Sequence, residues 1–165
     1  MKYFQLEGII DESLLNRLMD FCNENDEGQC TIVINSGGGK STLASVVLEM
    51  INQASERITL VSAGCYSAAF YIFYFAKCKR QIVHGSMGMF HKEYIKDIAI
   101  GPNKKPVYIE DIACVKNMKG INDKWVDKFL TPKEKKSYDK SGDIYFSCSR
   151  MKEIFPDVEV IGEMK

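Results

Sequence analysis

The chain has 165 residues, 45% hydrophobic and 27% charged, which suits one domain with a substantial core and is too apolar for a disordered chain. Lys plus Arg and Asp plus Glu number 22 each, so the formal net charge is zero. With no net attraction for a phosphate backbone and no basic stripe interleaved with aromatics, nucleic acid is excluded as an expected partner.

The first predicted element is a strand from Tyr3 to Ile10, where residues alternate loosely. Asp11 or Ser13 then caps a helix whose apolar positions are Leu14, Leu15, Leu18, Met19 and Cys22. Thr31-Ile32-Val33-Ile34 is a short β-branched run of the kind buried in a parallel sheet, and it stops at Asn35-Ser36-Gly37-Gly38-Gly39. Leu43, Val46, Val47, Met50 and Ile51 resume a helical spacing. The unit then repeats: Ile58 to Ser62 as a strand, Ala63-Gly64-Cys65-Tyr66 as a turn, and a helix opening at Ser67 and running to about Ala76.

Gln81 to Val83 and Met87 to Phe90 read as further strands. Apolar residues from Ile109 to Phe129 predict a helix that Gly120 interrupts. Thr131-Pro132-Lys133-Glu134 carries a helix-start signature, with Thr131 as cap and Glu134 closing a capping box. Asp157 to Ile161 fits a last edge strand. Strand–helix alternation of this kind predicts a parallel, right-handed α/β arrangement within a single domain spanning 1–165.

Six cysteines, Cys22, Cys30, Cys65, Cys78, Cys114 and Cys148, form no Cys-x-x-Cys pair, so neither a zinc ribbon nor a redox motif is indicated. The start Met1-Lys2-Tyr3-Phe4-Gln5 is no signal peptide, and scattered, reduced thiols fit a cytoplasmic protein. No metal and no cofactor are expected. The most apolar stretch, Ala68 to Ala76, falls far short of the roughly 20 residues that cross a bilayer, so no membrane partner is expected either.

The glycine turn admits two chemistries. Gly39-Lys40-Ser41 matches the end of a P-loop, but the first glycine of that motif falls at Ile34, inside the strand. The alternative is a turn whose backbone approaches a substrate and aims an amide at developing negative charge. A plain strand-to-helix turn accounts for the glycines equally well.

Ser67 at a helix start reads first as a cap. Small neighbours (Gly64, Ala68 and Ala69) and the unpaired amides of a helix N-terminus make it a nucleophile candidate instead, with the amide of Ala68 facing an oxyanion. A serine needs a general base, and His84 and His91 are the two histidines in the sequence. His91 ends the run Met87-Gly88-Met89-Phe90, where a strand end can present it.

Four motifs in order resemble a known family. Ile34-Asn35-Ser36-Gly37-Gly38-Gly39 is similar to the I-N-S-P-G-G of the Clp protease proteolytic subunit (ClpP), with glycine in place of its proline. Gly64-Cys65-Tyr66-Ser67-Ala68-Ala69 resembles its G-x-A-S-M-G, and Ser86 to His91 its S-R-x-M-I-H. Asp127-Lys128-Phe129-Leu130-Thr131 is similar to its D-R-[DF]-x-[ST]. The resemblance implies a ClpP/crotonase-like α/β fold of repeated β-β-α units on a parallel sheet. It implies a serine endopeptidase with Ser67 as nucleophile, His91 as base and Asp127 as the orienting carboxylate, with Asp123, Asp139 and Asp143 as rivals. Gly39 and Ala68 would supply oxyanion amides, and Gly38 and Gly39 would bind the substrate backbone. Partners implied are a peptide or protein substrate, further copies of the chain in a heptamer-like ring, and an ATPase unfoldase.

The sequence departs from the family pattern in three places. Counterparts of the N-terminal helix and axial loops that meet the ATPase are missing before Tyr3. The handle, about 92–126, is short and lacks a glycine-rich strand, which weakens the expectation of a double ring. Gly37 and the bulky Tyr66 alter the groove. Compact head-maturation proteases of Clp type are similar in these respects. Gly85-Ser86-Met87-Gly88 also resembles signal-peptide peptidase A, whose serine–lysine chemistry His91 argues against. The competing expectations are an inactive scaffold or regulatory subunit and, with less support, a crotonase-type acyl-CoA enzyme.

Overall fold

The computed structural model describes residues 2–25, 27–91 and 126–162. The expected handle, Cys114, Asp123 and most of the helix expected from Ile109 lie outside the described residues; 126–129 is helical. In chain order the elements are β1 (Lys2–Ile10), α1 (Glu12–Glu24), β2 (Cys30–Gly39), α2 (Ser41–Gln53), β3 (Ile58–Tyr66), α3 (Ala68–Phe75), β4 (Lys79–Val83) and β5 (Met87–His91). They are followed by α4 (Pro132–Ser141), β6 (Asp143–Ser147), α5 (Cys148–Ile154) and β7 (Glu159–Ile161). Five strands line up in the order β1-β2-β3-β4-β7, each parallel to its neighbours. This is an α/β protein with a mostly parallel central sheet. Among the described residues no helix is long and apolar enough to cross a membrane.

The described residues fall into two compact units. One holds the chain up to Phe90 together with the residues from Tyr145 onward; the other runs from His91 to Ile144.

In the first unit, α1 and α2 bury only part of the stripe that their spacing announces: Met19 of α1 and Val46 of α2 are exposed. Asp11, not Ser13, caps α1 by accepting from Leu14 N at 2.9 Å, and Leu14 and Leu18 are buried. Helix α2 buries Ala44, Val47, Leu48 and Ile51. Helix α3 is apolar on nearly every side because most of its sides are covered. Phe70 stacks on Phe146 at 5.6 Å, and Phe73 meets Phe155 edge-on at 5.6 Å. Burying each such ring contributes about 2–3 kcal/mol. A side chain on Gly88 of β5 would meet the Phe70 ring at 2.9 Å and Met151 Sδ at 3.0 Å, so glycine is what lets β5 pass over this core.

Two expected turns are strand instead. The Ala63–Tyr66 segment continues β3, and the glycine run to Gly39 continues β2. Neither is regular. The β2–β3 register passes from Ile34↔Ser62 to Asn35↔Gly64, leaving Ala63 as an extra residue. The β1–β2 register passes from Gly8↔Ser36 to Ile9↔Gly38, leaving Gly37 extra. Both segments stay extended because a neighbouring strand supplies backbone partners. The edge of β3 that β4 pairs from Thr59 to Ser62 is taken up by β5 at Cys65 and Tyr66. Such partners are distant in sequence, so local turn chemistry misreads them.

The end of the chain carries the expected edge strand, β7, on β4. Strand β6 and helix α5, which Ser147 caps through Arg150 N at 3.3 Å, have no counterpart among the expected elements. In the second unit the capping box at Thr131 is present with both of its bonds, and Tyr138 of α4 is buried.

Candidate active site

Ser67 lies between the end of β3 and the first turn of α3, half-buried, with φ 55 and ψ −123. Among the described residues it is the one non-glycine with positive φ. An L-residue held in that region costs of order 1–3 kcal/mol and persists only where its surroundings impose it. The surroundings are visible. Its amide donates to Met89 O of β5 at 2.9 Å, and its carbonyl accepts the first helical bond from Tyr71 N at 3.1 Å. Its side chain makes no capping bond to α3, so the capping role that a serine at this position first suggests is not the one it plays. A strained serine on a strand-to-helix turn is the geometry that presents a nucleophilic hydroxyl at the end of a sheet.

The glycine turn comes directly against it. Gly38 has φ +97, and a β-carbon added there would stand 2.7 Å from Ser67 Cβ, 2.8 Å from Tyr66 O and 3.0 Å from Ala68 N. Gly39 is packed on the other strand: a β-carbon there would sit 2.4 Å from Ile10 O. The structure therefore brings together Gly38, Ser67 and Ala68, with Gly39 next along the chain. Gly64 serves a different purpose from the one expected. A β-carbon there would meet Asn35 Oδ1 at 3.2 Å and the Tyr66 ring at 3.4 Å, so its missing side chain makes room for those two groups. Lys40 follows the glycines, but its ammonium binds Glu12 at 2.6 Å on the surface.

A thiol close in sequence is no rival nucleophile. Cys65 is fully buried, and desolvation pushes its thiol up to about 12 despite the hydrogen bond from Ser62 Oγ at 3.2 Å. Burial likewise raises Cys78 to about 11 and raises Cys22 and Cys30. All five described cysteines are unpaired thiols. Among the described residues no group of three or more His, Cys, Asp or Glu is placed to hold a metal ion.

His91 closes β5, whose Gly88 and Met89 pair with Cys65 and Tyr66 of β3. It is also the first residue of the second unit. His84 stands exposed in the turn before β5. Asp127 belongs to the second unit, is well exposed, and forms an ion pair with Lys135, whose ammonium pKa it raises by accepting that hydrogen bond.

Sequence reading missed Ser36. Its hydroxyl is buried, donates to Gly8 O at 2.7 Å and accepts from Gly38 N at 3.1 Å. A serine ahead of glycines looks like any turn residue, and its partner Gly8 is 28 positions away. No family model matches this chain, and no curated protein matches it.

Proposed function

We propose that the chain is a serine endopeptidase of the ClpP/crotonase-like type, working through an acyl-enzyme. The observation that carries this reading is the backbone of Ser67. Positive φ in a non-glycine residue, at a strand-to-helix junction with Gly38 packed against its β-carbon, is a strained arrangement with no role as a cap.

In this reading the Ser67 hydroxyl adds to the scissile carbonyl carbon while the His91 imidazole takes its proton. The amides of Ala68 and Gly39 stabilise the oxyanion. The C–N bond then breaks, and the imidazolium returns the proton to the leaving amine. Water, deprotonated by the same imidazole, releases the acyl group and restores the serine. Asp127 is the carboxylate that would hold the imidazole tautomer. Substrate is a peptide or protein segment, and the working form is a ring of copies.

A fluorophosphonate should label the wild-type chain at Ser67, and Ser67→Ala should abolish the labelling. His91→Asn should slow it by a factor of about 10³ or more. Labelling that persists in Ser67→Ala removes Ser67 from the mechanism.

The Asp127–Lys135 pair favours a second reading, in which the chain is an inactive scaffold that retains the fold. It predicts no labelling of Ser67 in any assembly state and normal formation of the oligomer.

A further inference from the structure

Ser36 stands where the β1–β2 ladder breaks register, and its one hydroxyl serves both sides of the break. It donates to Gly8 O across the sheet at 2.7 Å and accepts from Gly38 N along its own strand at 3.1 Å. Gly8 and Gly38 both have positive φ, at 77 and 97, so neither backbone has a side chain of its own to limit it. Gly37, the extra residue between them, is exposed and has no atom within 4 Å of where its β-carbon would be. The segment that touches Ser67 therefore consists of three glycines in succession, which the buried Ser36 hydroxyl anchors at Gly38.

We infer that Ser36 is a positioning residue for the oxyanion site, an inference that rests on the hydrolase reading. By taking the amide of Gly38, the hydroxyl withdraws that donor from the substrate side. It also sets the Gly37–Gly38 peptide plane, and with it the backbone that continues into Gly39. Gly38 in turn lies against Ser67 Cβ and Ala68 N, so a rotation of this plane moves one wall of the site relative to the nucleophile. Donors aimed at an oxyanion act on the transition state and hardly on the bound substrate, so loosening them lowers kcat and leaves KM nearly unchanged.

The test uses the full chain with Ser36→Ala and with Ser36→Cys, which keeps the side-chain shape at slightly larger volume but offers only a weak acceptor. The probes are a fluorophosphonate and p-nitrophenyl acetate. Both variants should label Ser67 about 10- to 100-fold more slowly, and kcat for the ester should fall in step while KM stays within about threefold. The cysteine variant carries the experiment if the alanine variant does not fold. A folded variant that labels at the wild-type rate, or one whose loss lies in KM, overturns the role of Ser36 and leaves the hydrolase reading standing. Absence of labelling in the wild-type chain overturns the hydrolase reading itself and this inference with it.

Discussion

A β-carbon added to Gly38 would stand 2.7 Å from Ser67 Cβ and 2.8 Å from Tyr66 O. The second contact is with main chain and cannot be relieved by turning a rotamer. Gly38 also has φ +97, which an L-residue adopts only under strain. Gly38→Ala should thus lose about 1–3 kcal/mol from conformation alone, with the clash added to it. The expected outcome is a lower midpoint in urea and loss of fluorophosphonate labelling. Gly37→Ala is the control: nothing lies within 4 Å of its β-carbon position, and its stability should change by less than about 0.5 kcal/mol.

Ser67 itself carries strain that glycine would not. With φ 55 and ψ −123, it occupies backbone space in which a β-carbon is penalised and its absence is not. Ser67→Gly should raise stability by about 1 kcal/mol, the relief of strain outweighing the greater freedom of glycine in the unfolded chain. Ser67→Ala keeps the β-carbon and with it the strain. Urea titration of the two variants checks this. A glycine variant less stable than the alanine variant would show that Ser67 is relaxed where it sits.

Arg80 holds the far end of the same helix. Its guanidinium donates to Phe73 O at 3.3 Å and Tyr74 O at 3.0 Å, two carbonyls in the last turn of α3. It also lies over the rings of Phe73 and Phe155, at 5.9 and 5.1 Å from their centroids. Arg80→Ala removes a carbonyl cap and two ring contacts, and should cost about 2–3 kcal/mol. Arg80→Lys should recover little of it, because one ammonium cannot reproduce a planar fork lying on two rings. Thermal unfolding of both variants measures the difference.

Individual elements were legible where a residue's neighbours in sequence are also its neighbours in space. Leu14 and Leu18 face the core at helical spacing, and Thr131 with Glu134 closes its capping box within one turn. The candidate site was legible in part for the same reason: Ser67 and Ala68 adjoin, and the glycines interrupt a β-branched run. What could not be read depends on strand pairing. The Ala63–Tyr66 segment looks like a turn until β5 is set beside it, and Ser36 looks like a loop residue until Gly8 is brought across the sheet. The strain at Ser67 belongs to the same class, since Met89 O and Gly38 impose it from other strands.

Acid sensitivity should trace in part to Asp157. The hydrogen bond from Arg80 at 2.8 Å holds its carboxyl below the ordinary value of 3.8. A carboxylate depressed in the folded state binds fewer protons there than in the unfolded chain, so its contribution is fully present above the unfolded value. It is lost as pH falls through the folded one. The side chain is 68% exposed, so the pair is worth at most about 1 kcal/mol. Glu12, held low by its bond from Lys40, and Glu159, held low by Gln81, lose their contributions in the same acid range. Asp157→Asn should therefore reduce the fall in Tm between pH 5 and pH 3 without abolishing it, and the gap between variant and wild type should be widest above pH 5. A gap that stays constant down to pH 3 would show that the Arg80 bond is not what depresses this carboxyl, and that any loss in the variant comes from packing.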